Sequence, residues 1–334
     1  MQMQNMLFQI FDQRKFEILI ILTTMVISCS KSEDLYFREG GTLLWINKQH
    51  EDIAIKNAVQ HTLENSSVIV AQIHWSPLDS SFFDNASWYF SLARDHGKSF
   101  MIAIDWQKVD RSGTNGGWSF ENVATANLFK KDMIRLLNTY NPNYFNLGVE
   151  VNYYALTSPE GFRAFATLFR ELKGELKQLK PNIKVGLSYQ LELLYGHHKG
   201  WNETNSPATL NNLLGDIDYL GISTYPNMVS EQKQSNILFS TTYLDSLTTK
   251  YSLPIGISET AVSSKLFNEE QRKTYVKTIF KKASDLNLKF VIWGSMIDGN
   301  ADNLWSDKIG LLNKDGKTKN EFSLWEKENL NFYK

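Results

Sequence analysis

A single (β/α)8 barrel is the mixed α/β fold that this 334-residue chain predicts, and three observations carry it. Short apolar runs of strand length recur eight times. Longer stretches with helical spacing separate most of them. No break in composition marks a second domain. A doubly wound open sheet is the structural alternative, but no Gly-rich phosphate turn follows an early strand.

The elements follow in order. Thr42 to Ile46 is a weak first strand, and Asp52 to Leu63 is helix-like. Ser67 to Ile73 is the second strand and runs into His74-Trp75. Ala86 to His96 forms a helix closed by Gly97, and the third strand, Ser99 to Ile104, ends in Asp105-Trp106. A Gly-rich loop, Ser112 to Trp118, leads to a long helix from about Phe120 to Tyr140. The fourth strand starts at Tyr144 and stops at Glu150. Pro159 opens a helix in which Phe162, Phe165, Leu168, Phe169 and Leu172 share one face. Lys184 to Tyr189 is the fifth strand. A polar loop, Gly196 to Pro207, precedes the sixth, Ile217 to Ser223, which reaches Thr224-Tyr225-Pro226. Tyr243 to Tyr251 is helical. The seventh strand begins at Leu253-Pro254 and ends at Ser258-Glu259-Thr260. Glu269 to Leu286 is an amphipathic helix, and Leu288 to Trp293 is the last strand.

Two of these strands share a grammar: a short apolar run that stops at a glutamate, Glu150 on the fourth and Glu259 on the seventh. In a parallel barrel the carboxyl ends of all strands meet at one mouth. Paired carboxylates at such a mouth are what glycoside hydrolysis requires, about 5–5.5 Å apart for the retaining pathway. The nucleophile must stay ionised, which nearby hydrogen-bond donors favour, and the acid must hold its proton, which burial favours. Tyr225 is placed to donate to Glu259, and Trp293 is placed to stack on a sugar ring. His74 and Trp75 after the second strand, with Asp105, Trp106 and Gln107 after the third, face the same cleft in this reading.

Composition narrows the function. A formal net charge of −1 gives no electrostatic reason to expect nucleic acid. Nine Trp and fourteen Tyr supply aromatic faces for sugars, although most aromatics in any chain are core. No phosphate loop, heme or zinc pattern or nucleophile elbow is present. His197-His198 have no third ligand spaced with them, so no metal is expected. Glu192, farther past its strand, and Asp298 are rival acids ranked below Glu150. The cationic and acidic residues between Glu269 and Lys282 read as the wet face of a helix.

The start of the chain points to export. Arg14-Lys15 precede an apolar run, Phe16 to Ile27, too short to cross a bilayer comfortably, that ends in Ser28-Cys29. Val26-Ile27-Ser28-Cys29 resembles a bacterial lipobox, which implies lipidation of Cys29 and a protein tethered to a membrane of the cell envelope. A plain cleaved signal or a short uncleaved anchor are the alternatives. With the one Cys used there, no disulfide or thiolate metal site is expected. The expected organisation is a signal over 1–28, a tether over 29–41 and a barrel over 42–334.

The strand-end segments Gly148-Val149-Glu150-Val151-Asn152, Gly221-Ile222-Ser223-Thr224-Tyr225-Pro226, Ile257-Ser258-Glu259-Thr260 and Val291-Ile292-Trp293-Gly294 together resemble the retaining (β/α)8 glycoside hydrolases of clan A. The tail from Gly310 to Lys319, closing with Trp325, is similar to the end of these enzymes, and Gly-Ile-Ser-x-Tyr-Pro is similar to the endo-β-1,4-galactanase segment. The resemblance implies Glu150 as acid/base, Glu259 as nucleophile, Tyr225 as its partner and Trp293 as a sugar platform, with no cofactor and a monomeric chain acting on a polysaccharide or oligosaccharide. It departs at Val149, where the clan usually has an Asn that hydrogen-bonds the sugar 2-hydroxyl. Asn152 and Asn146 are the nearby amides, and neither occupies the same point on the strand. The competing expectation, from a different class, is a glycan-binding lipoprotein that does not cut.

Overall fold

The computed structural model describes residues 38–46, 49–201, 211, 213–229, 236–299 and 306–334. The signal region, Cys29 and the first part of the expected tether lie outside the described residues, as do residues 202–207 of the polar loop.

Eight strands form one parallel sheet: β1 (Glu39–Thr42), β2 (Val68–His74), β3 (Ser99–Asp105), β4 (Tyr144–Asn146), β5 (Lys184–Gln190), β6 (Tyr219–Thr224), β7 (Ile255–Thr260) and β8 (Phe290–Trp293). Each hydrogen-bonds to its neighbour in the order β1-β8-β7-β6-β5-β4-β3-β2. The remaining seam, between β1 and β2, is drawn together where Leu43 bridges Val70 in parallel and Ser67 N–H donates to Gly40 O at 2.8 Å. The sheet is therefore a nearly closed barrel.

Helices cover its outside: α1 (Asp52–Asn65), α2 (Phe82–Asp95), α3 (Val123–Tyr140), α4 (Val151–Thr157), α5 (Pro159–Leu179), α6 (Leu191–Leu194), α7 (Thr242–Lys250), α8 (Glu269–Asp285) and α9 (Phe322–Tyr333). Local chemistry sets several of their starts. Asn122 accepts from the backbone of Ala124 and Thr125 to cap α3, and Asn268 with Gln271 makes a reciprocal capping box on α8. On α5, Phe162, Phe165, Leu168, Phe169 and Leu172 are all buried, as their spacing predicts.

Strand alternation divides the core in two. Leu43, Val68, Val70, Met101, Ala103, Tyr144, Tyr219, Phe290 and Ile292 fill the barrel interior. There Tyr144, Tyr219 and Phe290 meet edge to face, with centroids 5.4–6.1 Å apart. The larger cluster lies between sheet and helices.

The first strand differs from expectation. It occupies Glu39–Thr42 rather than Thr42–Ile46, so the Gly40-Gly41 pair expected at the end of the tether belongs to the barrel. The reason is space at the seam. A Cβ on Gly41 would lie 2.8 Å from Val68 O, and one on Gly40 would collide with Asn329 of α9. A Gly41→Ala chain should therefore lose about 1–3 kcal/mol of stability in urea unfolding, the cost of overpacking against backbone that cannot retreat. An unchanged midpoint would mean that the seam is looser than described.

Candidate active site

The same alternation decides which strand-end residues reach the mouth. On β2, Val68 and Val70 face inward, so Gln72 and His74 follow them toward the opening while Trp75 turns outward. On β3, Met101 and Ala103 face inward, which sends Asp105 to the mouth and Trp106 to the helices. Glu259 reaches the mouth against strict alternation, because Ile255 and Ile257 face the helices. The β6–β7 register resolves this: Ile222 pairs with Ile257, but Ser223 pairs with Glu259. Ser258 is an extra residue, and the bulge it creates flips the parity so that Glu259 points inward. Thr260 then points out, hydrogen-bonded to Tyr275 of α8 at 2.7 Å.

Glu150 lies past the end of β4, at the N-cap of α4, with φ 50° and ψ 43°. That left-handed conformation is uncommon for a residue with a side chain and clusters at functional sites. Gln107 secures it by donating from Nε2 to Val149 O at 2.8 Å and Glu150 O at 3.1 Å. The Glu150 carboxylate accepts Ser223 Oγ–H at 2.6 Å and pairs with Arg111 at 2.9 Å. The other guanidinium nitrogen of Arg111, Nη1, lies 2.8 Å from both oxygens of Asp105.

Arg111 is the principal residue that sequence reasoning did not single out. It sits in the loop after β3, at φ 60°, ahead of three glycines with positive φ, Gly113, Gly116 and Gly117. This loop folds the guanidinium back over the mouth. Burial works against its charge, but Asp105, Glu150 and Glu259 together raise its pKa above the ordinary arginine value.

Glu259 is in a different position. Burial, then the charge of Glu150, push its pKa up to about 8, while Arg111 and a hydrogen bond from Tyr225 pull the other way. Tyr225 is itself driven well above the ordinary tyrosine range, by burial first and then by Glu259 and Glu150. Beside these residues opens a cleft of about 500 Å³, lined by Trp45, Gln72, His74, Asp105, Arg111 and Glu259 among others. It is large enough for a sugar ring and rich in groups that hydrogen-bond hydroxyls.

The structure thus brings Glu150, Glu259, Tyr225, Asp105 and His74 to one mouth. It does not bring the other candidates there. Trp75 packs edge-on against Trp118 and Phe129, with its indole N–H on Asp132 at 3.0 Å. Trp106 lies among Trp118, Phe120, Tyr154 and Phe165 and donates to Leu147 O at 3.2 Å. Trp293 follows the outward parity of Val291, lies edge-on to Tyr275 and donates to Ile309 O at 3.1 Å. Each is 1% exposed or less, so none offers a free face in this structure. The indole that lines the cleft is Trp45, 37% exposed.

Asn152 uses its amide to clasp the backbone of Gln190, donating to O and accepting from N, both at 2.9 Å. Asn146 accepts from Gly148 N at 3.1 Å, and Val149 packs in the barrel interior. Both amides are thus engaged with backbone partners. Glu192 is buried beside the mouth, accepting from Thr224 Oγ1 at 2.7 Å and Tyr225 N at 3.1 Å; burial outweighs these donors and lifts it to about 7. Asp298 is ion-paired with Lys319 at 2.7 Å. His197 and His198 diverge, to Tyr243 at 2.6 Å and Tyr153 at 2.7 Å. Among the described residues no cluster of three or more His, Cys, Asp or Glu is arranged to hold a metal.

No family model matches the chain, and no curated protein matches it by sequence. Solved structures do match in shape. The exo-β-1,4-mannosidase Op5Man5 of Opitutaceae bacterium strain TAV5 superposes with TM-score 0.65 at 13% identity, over 89% of this chain and 60% of that one. A GH5_18 variant of Bifidobacterium longum subsp. longum, in complex with Manβ1-4GlcNAc, gives 0.65 at 12% identity, over 88% and 78%. The endo-1,4-β-mannanase of Rhizomucor miehei gives 0.61 at 13% identity, over 89% and 95%. The fold is shared with barrel glycoside hydrolases. This chain spans 60% of the exo-mannosidase's length, and at these identities the likeness is one of fold.

The electrostatics of Glu259 have a measurable consequence. Its folded pKa of about 8 lies above the ordinary value of 4.5, so the stability this carboxyl contributes is full below about 4.5 and is lost as pH rises through 8. Glu259→Gln removes that dependence. Relative to wild type, the variant should gain at least about 1 kcal/mol between pH 5 and pH 9 in denaturant titrations. Parallel stability curves would count against a buried, protonated Glu259.

Proposed function

We propose that the chain is a retaining glycoside hydrolase that acts on a β-linked polysaccharide or oligosaccharide. The observation that supports this most is that Arg111, which lines the cleft with Glu259, is ion-paired with Glu150 at 2.9 Å and lies in the field of both carboxyls. In this reading Glu150 donates a proton to the glycosidic oxygen as Glu259 attacks the anomeric carbon. The leaving sugar departs with that proton, and Glu259 is left as a glycosyl ester. Glu150, now a carboxylate, takes a proton from water as the water displaces Glu259 and restores the configuration. Tyr225 donates to the Glu259 carboxylate and favours its ionised form. Gln72, His74 and Asp105 are within the cleft to bind hydroxyls, and Trp45 is the aromatic face available to a ring. This chemistry needs no cofactor.

The mannosidase and mannanase among the fold neighbours make β-1,4-mannans the first substrates to try. The galactanase-like segment adds β-1,4-galactan. We place the protein in the cell envelope, held by lipid on Cys29, and acting as a monomer; the motive is the lipobox-like Val26–Cys29 segment.

A second reading rests on Val149. The residue before Glu150 offers no amide to the sugar 2-hydroxyl, and hydrogen bonds there strengthen in the transition state by several kcal/mol. A glycan-binding protein without turnover has the same mouth and lacks that need. Turnover separates the two. Incubated with mannan, galactan, xylan and β-1,3-glucan, the wild-type chain should release sugars whose anomeric configuration, followed by NMR, is retained. Glu259→Gln should abolish release, and Glu150→Gln should slow it by about 10²–10⁴-fold with poor leaving groups. Binding without release by all three proteins would establish the second reading.

A further inference from the structure

Tyr225 can serve Glu259 only where its hydroxyl is held in place, and two residues outside the proposed reaction hold it from opposite ends. Tyr225 follows the last residue of β6 in extended backbone, φ −138° and ψ 118°. At its root, Glu192 Oε1 accepts from Tyr225 N–H at 3.1 Å and from Thr224 Oγ1–H at 2.7 Å. At its tip, the hydroxyl lies against Gly294, the residue after β8, where a Cβ would stand 2.8 Å from Tyr225 Oη. The ring therefore crosses the end of β7, which lies between β6 and β8 and carries Glu259.

Glu192 is a buried carboxyl that the proposed reaction does not use. Burying an ionisable group is costly unless hydrogen bonds repay it. Its hydrogen-bond partners among the described residues are neutral donors, so what it supplies is orientation rather than an ion pair. Its other oxygen accepts from Gln190 Nε2–H, and Gln190 Oε1 accepts from Leu193 N at 2.7 Å. Asn152, two residues past Glu150, clasps the Gln190 backbone. On the opposite side, Thr224 O accepts from Thr260 Oγ1 at 2.8 Å, next to Glu259. A continuous chain of buried hydrogen bonds thus runs from the segment of Glu150, through Glu192, to the segment of Glu259.

We propose that Glu192 and Gly294 are positioning residues for Tyr225: Glu192 fixes the root of the side chain through the Tyr225 N–H, and Gly294 leaves the space that the hydroxyl needs beside Glu259. The inference rests on the reading of Glu259 as nucleophile and Tyr225 as its donor. Gly294 is not at positive φ, so its backbone accepts alanine and space alone is at issue. Its N–H is fixed on Thr260 O at 2.6 Å, so the backbone has little room to yield. An added Cβ would also stand 3.2 Å from Ala261 Cβ and 3.3 Å from Thr260 O, tight but tolerable, which leaves the Tyr225 hydroxyl as the group that must move. Both residues act through Tyr225, and neither is given a contact with sugar.

The test uses Glu192→Ala, Gly294→Ala and Tyr225→Phe in the full chain, with the two double variants that pair Tyr225→Phe with each of the others. Without ligand, the Glu259 carboxyl is identified by ¹³C NMR of glutamate-labelled protein through its loss in Glu259→Gln. Its midpoint should rise in each single variant, because a donor that favours the carboxylate is removed or misplaced. In the doubles, no further rise beyond that of Tyr225→Phe should appear, since there is no hydroxyl left to misplace. Glu192→Gln, which keeps one oxygen to accept from Thr224 and Tyr225, should stay closer to wild type than Glu192→Ala and guards against a misfolded alanine variant. Equal rises with and without the Tyr225 hydroxyl would overturn the proposal. With p-nitrophenyl β-D-mannoside and β-D-galactoside as probes, each single variant should lose about tenfold or more in kcat, the worth of one hydrogen bond to a charged group, with KM little changed. The doubles should lose no more than Tyr225→Phe. Additive losses, or losses confined to KM, would count against it. If the wild-type chain hydrolyses neither these probes nor the glycans, the hydrolase reading fails, while the titration still decides whether Glu192 and Gly294 act through Tyr225.

Discussion

Every strand end in this chain meets the others because the sheet closes on itself between β1 and β2. That seam is narrow, held by the Leu43–Val70 bridge and one backbone hydrogen bond from Ser67, and it requires glycine at two successive positions. Without closure, Glu150 and Glu259 would sit on strands separated by two others on an open sheet. With closure they share a mouth, and everything chemical about the molecule follows from that shared space. The interior packing of Tyr144, Tyr219 and Phe290 keeps the barrel from collapsing inward beneath it.

The mouth is crowded with negative charge, and its organisation is a way of distributing that charge. Asp105, Glu150 and Glu259 face one guanidinium. The geometry gives Arg111 a two-point anchor on Asp105 and a single contact with Glu150. Backbone shape supports the arrangement at both ends. Glu150 and Arg111 are each held at positive φ, and the Ser258 bulge turns Glu259 inward. Local strain and irregularity lie where the charges do.

Much of the fold was legible from the order and length of apolar runs, which are governed by burial and repeat eight times. The glutamates were legible because a carboxylate at the end of a buried run has few other reasons to be there. The tryptophans were not, since their position at strand ends says nothing about which side they face. Counting by twos from the inward Val68 and Met101 would have sent Trp75 and Trp106 outward and His74 and Asp105 to the mouth. The same count would have failed at Glu259, because a bulge leaves no clear mark in composition. Arg111 was hidden for another reason. Its role depends on a loop conformation and on a partner 39 residues away, and the flanking glycines were its one visible sign.

The inward-turned and outward-turned indoles also divide what light can report. Trp75, Trp106, Trp293 and Trp325 are shut into apolar surroundings, most with their N–H groups already bonded, so their emission is that of the folded interior. Trp45 is the indole that borders the cleft. Intrinsic fluorescence of this protein therefore follows whether the barrel is folded far better than what occupies it. Among the described residues, the indole that a sugar in this cleft meets is that of Trp45.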